Sequence, residues 1–225
     1  MSDVMKECKY KKLQYVVHFP EDFKKEKEYP VILLLAGAGS RGDDISLVRS
    51  SLLFPAAENF HLNTVIFAPQ CYADSWFDIF EQLIEFAEYV IGGEYADEDR
   101  IYLMGSSMGG YAVWQLAMSR PEWFAAIVPI CGGGMYWNAA RLKHMGVWAF
   151  HGSEDPIVLC EESRKMVNNI NRNGGDARLT IWKDVGHDSW GKTYQYMQLY
   201  EWLFRQRRRE YQPEKSAYDN PKEFG

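Results

Sequence analysis

Five short runs dominate the middle of this chain: "VILLLA" from Val31, "TVIFAP" from Thr64, "RIYLMG" from Arg100, "AAIVPI" from Ala125 and "VWAFHG" from Val147. They show little polar alternation. A strand with one face in water alternates apolar and polar residues, so such runs indicate strands covered on both faces, as inside a parallel sheet. "LQYVVHF" from Leu13 and "ARLTIW" from Ala177 read as two further strands.

Helix-period segments lie between the runs. "DIFEQLIEFAEYVIG" from Asp78 sets Ile79, Leu83, Phe86 and Val90 at helical spacing. "GGYAVWQLAMSRPEWF" follows Met108, with Pro121 marking the helix exit. "ESRKMVNNINRNGG" from Glu162 stops at Gly174-Gly175, and "SWGKTYQYMQLYEWLFRQ" from Ser189 reads as one closing helix. This alternation predicts an α/β fold, a doubly wound, mostly parallel sheet with helices on both faces. No repeat or composition break divides it. We expect one domain over residues 1–212 and a polar tail over 213–225 with two prolines.

The chain has 225 residues, 47% of them hydrophobic, enough for one substantial core. No stretch approaches the roughly 20 apolar residues of a membrane helix, and "MSDVMKECKYKKLQ" lacks the apolar segment of a secretory signal. A soluble protein with no membrane partner is expected. Cys8, Cys71, Cys131 and Cys160 lie far apart among hydrophobic or strand-like neighbours. They read as free buried thiols, consistent with a reducing cytoplasm, and no Cys/His spacing suggests a structural metal. The net charge of −6 argues against general nucleic-acid binding. "RQRRRE" from Arg205 follows an apolar-periodic segment, where cations complement a helix C-terminus.

The stretch "GSSMGG" from Gly105 joins the "RIYLM" strand directly to the next helix. With Gly and Ser each at roughly 7% of an average chain, G-x-S-x-G arises by chance about 0.1 times in a chain this long. Context therefore has to decide. A nucleophile elbow is a tight strand-to-helix turn that accepts only small residues two positions either side of the nucleophile. Ser107 has Gly105 and Gly109 there; Ser106 has Met104 and Met108. Ser107 is the candidate nucleophile.

A serine hydroxyl needs a base. If the order is serine, acid, histidine, then His18 and His61 come too early, and His144 and His151 lie just before or within the "VWAFHG" strand. His187, in "DVGHDSW" after the last expected strand, remains. The acid should follow "VWAFHG", where Glu154 and Asp155 stand side by side before Pro156. Taken singly, Asp155 reads equally well as a turn or capping residue and His187 as a surface-loop histidine. Their joint order favours catalysis. Oxyanion donors are expected at the Met108 amide and, in the glycine-rich "AGAGSRGDD" loop, at Ala38.

Together "LLLAGAGSRGDD", "FAPQCYADSW", "GSSMGGYAVWQLA", "PICGGG", "FHGSEDPIV" and "GHDSW" resemble the α/β-hydrolase superfamily. The closer resemblance is to small lidless esterases of the phospholipase/carboxylesterase, feruloyl-esterase-like and predicted-peptidase group. The resemblance runs from about residue 30 to 190. It implies Ser107 as nucleophile, Asp155 rather than Glu154 as acid, His187 as base, and oxyanion amides at Ala38 and Met108. It implies no cofactor. One departure stands out: the usual His-Gly after the strand is here Ala36-Gly37.

Trp76, Tyr136, Trp137 and Trp190 flank these motifs. Aromatics stack on phenolic or sugar rings, so we expect them to bind substrate, against the plainer reading that they anchor core or loops. Exposed ones equally suit a homodimer contact. Short inter-strand segments leave no room for a large lid. The expected activity is a serine carboxylesterase on small soluble esters of short acyl, aryl, cinnamoyl or acetyl-saccharide type. The alternatives are a peptidase or thioesterase with the same triad, and a non-catalytic binder on this fold.

Overall fold

Along β3 (Tyr29–Leu35), successive side chains enter two different cores. Val31, Leu33 and Leu35 pack into one, Ile32 and Leu34 into the other. A strand places alternate residues on opposite faces, so a fully apolar strand requires cover on both. The computed structural model, which describes residues 4–208, supplies that cover. The expected 213–225 tail lies outside the described residues.

The sheet has eight strands in the order β1-β2-β4-β3-β5-β6-β7-β8. These are β1 (Met5–Tyr10), β2 (Leu13–His18), β3, β4 (Val65–Pro69), β5 (Ala96–Ser106), β6 (Ala126–Ile130), β7 (Gly146–Gly152) and β8 (Arg178–Trp182). The β1–β2 and β2–β4 pairs are antiparallel; every other pair is parallel. Seven strands match the sequence reading. β1, "MKECKY", was not expected: it is a mostly exposed edge strand whose charges leave no buried-strand signal.

Seven α-helices accompany the sheet among the described residues: α1 (Ser46–Arg49), α2 (Leu53–Asn59), α3 (Phe80–Ile91), α4 (Met108–Ser119), α5 (Glu161–Arg172), α6 (Ser189–Tyr194) and α7 (Met197–Leu203). Phe86 of α3, Trp114 of α4 and Met166 of α5 pack on one face. Phe54 of α2, Tyr194 of α6 and Tyr200 of α7 pack on the other. Burying each such side chain contributes about 1.5–3 kcal/mol. The doubly wound architecture is thus as expected.

Three expectations need correction. The closing helix is two helices, because Tyr196 is extended (φ −95°, ψ 96°). The Tyr200 hydroxyl donates to the Tyr194 carbonyl at 2.8 Å, the acceptor a continuous helix would offer one turn on. Only Cys71 and Cys131 are buried, whereas Cys8, on the edge strand, and Cys160, before α5, are partly exposed; all four are free. Of the basic run, Arg207 reaches Asp97, and Arg208 reaches Glu98 and Asp99, near the start of β5 rather than at the end of α7. No helix among the described residues is long and apolar enough to cross a membrane.

β3 connects to β4 on one side, and β4 then crosses to β5 on the other side of β3. The strand order reverses between β3 and β5. Open α/β sheets bind ligands at such a point, beyond the strands' C-terminal ends.

Candidate active site

The β5–α4 turn lies at that reversal. Ser107 has φ 54° and ψ −120°, a left-handed conformation that costs a non-glycine residue energy. Neighbouring backbones enforce it. A Cβ on Gly109 would overlap the Leu35 carbonyl, and one on Gly105 would sit 2.7 Å from the same oxygen. One on Gly110 would sit 2.6 Å from the Ile130 carbonyl. Helix α4 therefore starts pressed against β3 and β6, and the chain must turn sharply at Ser107. The Ser107 amide donates to the Ile130 carbonyl at 2.9 Å, fixing the elbow to β6. Ser106 is buried among the neighbouring strands.

His187 lies in the β8–α6 loop. Its Nε2 is 2.8 Å from Ser107 Oγ and its Nδ1 is 2.8 Å from Asp155 Oδ2. A carboxylate accepts, so Nδ1 carries a proton and donates to Asp155, leaving Nε2 to accept from the serine hydroxyl. The Asp155 side chain is fully buried, whereas that of His187 is 21% exposed, open to a substrate. Asp155 Oδ1 accepts the Ile157 and Val158 amides, each at 2.9 Å. Burial alone would raise the Asp155 carboxyl, but the His187 hydrogen bond and these two amides outweigh it and hold it below the usual range. Glu154 is exposed and turned toward Ser153.

The acid and histidine loops are stitched together. The Glu154 amide donates to Val185 O at 2.9 Å, and a Cβ on Gly152 would overlap the Val185 and Gly186 carbonyls. Trp190 stands edge-on to the His187 ring at 5.6 Å between centroids.

Ala36, Gly37 and Ala38 follow β3. A Cβ on Gly37 would come 3.4 Å from Ser107 Cβ, so this loop lies against the serine. Ala38 opens a 3-10 turn (Ala38–Ser40), and Met108 is the first residue of α4. An amide at a helix start has no acceptor one turn back, so it is available to a ligand. The loop's carbonyls are occupied elsewhere: Trp76 Nε1 donates to Ala36 O (3.0 Å), Arg41 Nε to Ala38 O (3.0 Å) and Gln70 Nε2 to Ser40 O (3.2 Å).

Trp76 therefore corrects an expectation. It is completely buried and presents no surface to a substrate; its indole braces the loop beside Ser107. Tyr136 and Trp137 are exposed at 44% and 68%, in the segment after β6. Sequence reading missed Ile157 and Leu159, which are 70% and 64% exposed beside the acid. Bulky aliphatics next to Pro156 in a loop after a strand were the available signal. It also missed Arg41 and Gln70, whose loop contacts have no sequence signature.

Among the described residues, one group of possible metal ligands converges: Cys131, Asp155 and His187, with ligand atoms within 4.8 Å of one another. Two of these already share a hydrogen bond. Burial pushes the Cys131 thiol up to about 12, so it stands beside them as a neutral group.

The model of the prolyl oligopeptidase family matches residues 67–143. No curated protein sequence matches the chain. A thermostable esterase of known structure is 31% identical, with a TM-score of 0.83, over 92% of this chain and 64% of the esterase. Dipeptidyl peptidase 4 of Porphyromonas gingivalis is 15% identical, with a TM-score of 0.70, over 90% of this chain and 35% of that enzyme. A ferulic acid esterase is 17% identical, with a TM-score of 0.66, over 89% of this chain and 95% of its own. The chain thus spans less than two thirds of the first two. The chain has the α/β-hydrolase fold and is similar in fold and sequence to esterases and peptidases that share it.

Proposed function

We propose that the protein is a carboxylesterase acting on small soluble esters through an acyl-enzyme on Ser107. The observation that carries this is the relay from Ser107 Oγ through His187 to Asp155, with both links at 2.8 Å and the serine on a strained elbow. As Ser107 Oγ attacks the ester carbonyl, His187 Nε2 takes its proton, and buried Asp155 stabilises the resulting imidazolium. The carbonyl oxygen gains charge beside the Ala38 and Met108 amides. The C–O bond to the alcohol then breaks, and His187 returns the proton to the leaving oxygen. Water repeats the sequence and frees the acid.

The ester reading draws support from the 31% identity to the thermostable esterase. It also draws on exposed apolar side chains in the loops after β6 and β7, Trp137, Ile157 and Leu159, which would suit an aryl or short acyl group. The prolyl oligopeptidase match favours a second reading, a peptidase with the same relay. A panel of p-nitrophenyl, feruloyl, thioester and peptide substrates distinguishes them. The ester reading expects the highest kcat/KM on oxygen esters; turnover of peptides alone would overturn it.

A further inference from the structure

Asp155 has a second histidine against it. His151, on β7, places Nε2 3.3 Å from Asp155 Oδ2, the oxygen that accepts from His187, and both side chains are fully buried. His151 Nε2 also lies 2.8 Å from the Val158 carbonyl. Two acceptors face this nitrogen, so it must carry a proton. Nδ1 lies 2.8 Å from Ser163 Oγ on α5, a hydroxyl also 2.9 Å from the Gly132 carbonyl. A ring charged at both nitrogens would be a buried cation. Burial favours the neutral form of His151, with the Val158 carbonyl and Asp155 opposing it. The Gly132 carbonyl accepts the single Ser163 hydroxyl proton, and the proton that the contacts fix on His151 is the one at Nε2.

We infer that His151 is a positioning residue for the acid: its Nε2–H is shared between Val158 O and Asp155 Oδ2, clamping the carboxylate in line with His187. The inference rests on the catalytic reading of Ser107, His187 and Asp155. Its physical content is twofold. A fourth donor fixes the carboxylate, since the Ile157 and Val158 amides hold only Oδ1 and His187 alone otherwise holds Oδ2. It also draws charge from Oδ2, and a proton on His151 would oppose one on His187 across the same carboxylate. Cys131 on the β6 side and Tyr111 on α4 also feel the Asp155 charge, and burial raises both.

Removing the clamp should lower turnover and make the His187 imidazolium easier to form. The test compares His151→Phe, which keeps a ring without a donor, with His151→Gln, which restores an N–H near Nε2. For His151→Phe we expect kcat about tenfold lower, KM within about twofold, and the acidic limb of the kcat/KM profile moved to higher pH. His151→Gln should recover most of both. Ser163→Ala frees Nδ1 without touching Asp155 and should move the limb the same way by less. A limb that stays or moves down, or Phe and Gln variants that behave alike, overturns the inference.

Should His151→Phe not fold, nitrogen-15 spectra of histidine in the unmutated protein decide. A proton on His151 Nε2 at pH 7 supports the inference, and a neutral ring protonated only at Nδ1 contradicts it. A fluorophosphonate that labels Ser107 while the limb stays fixed sinks this inference alone; no labelling at Ser107 sinks the catalytic reading beneath it.

Discussion

Trp76 donates its indole N–H to the carbonyl of Ala36 at 3.0 Å, across 40 residues of sequence. The resemblance read from the sequence implies, at the position of Ala36, a histidine that supports this loop. Here a fully buried tryptophan from the loop after β4 does so. Trp76→Phe removes the donor and leaves the Ala36 carbonyl without it, which should cost about 1–3 kcal/mol of stability. With the loop beside Ser107 released, kcat should fall by about 10-fold or more with little change in KM. Chemical denaturation and steady-state kinetics on one preparation check both.

The elbow gives a sharp contrast between two glycines. Gly109 has no room for a Cβ against the Leu35 carbonyl, whereas nothing lies within 4 Å of a Cβ on Gly39. Gly109→Ala should destabilise by about 3 kcal/mol or more, because backbone rather than a flexible side chain must move. Gly39→Ala should stay within about 1 kcal/mol of the parent. Thermal unfolding of the two variants gives the comparison directly.

Acid should weaken the fold before most carboxylates titrate. Burial lowers both His18 and His151 from an ordinary value of 6.5, in each case against partial opposition from a carboxylate. Below 6.5 the unfolded chain takes up these protons while the folded chain resists. The stabilising contribution is therefore complete above 6.5 and shrinks as the pH falls toward the folded values. The depressed Asp155 acts in the same direction at lower pH. The urea midpoint should fall from pH 7 to pH 5. His18→Phe, placed against Phe54, should show a smaller fall.

The exposed Trp137 should act on binding. Trp137 is 68% exposed, and its ring meets only Tyr136 edge-on among the described aromatic contacts. Trp137→Ala should leave the unfolding midpoint nearly unchanged. KM for aryl esters should rise several-fold, and KM for acetyl esters much less. Kinetics on a matched aryl and acetyl pair measure the difference.

What the sequence made legible follows from where each signal lives. The central strands were readable because burial on both faces removes polar alternation, a local property. Ser107 was readable because steric pressure at the elbow falls on fixed positions, Gly105 and Gly109. β1 was not, because an exposed edge strand such as "MKECKY" has no buried face to advertise. Trp76 was misread for a related reason: its burial depends on how the loop after β4 folds under Ala36. His151 was set aside as the base because it lies within a strand. Its contact with Asp155 depends on the turn after Gly152 bringing the acid back over the ring, which composition and periodicity do not encode.

The central claim is that Ser107, activated by His187, forms a covalent acyl-enzyme. Mass spectrometry after reaction with a fluorophosphonate measures this directly. The account predicts one adduct, on the peptide carrying Ser107, lost in Ser107→Ala and slowed at least a hundredfold in His187→Ala. An unmodified Ser107 in folded protein, or an adduct on Ser106 in its place, would contradict it.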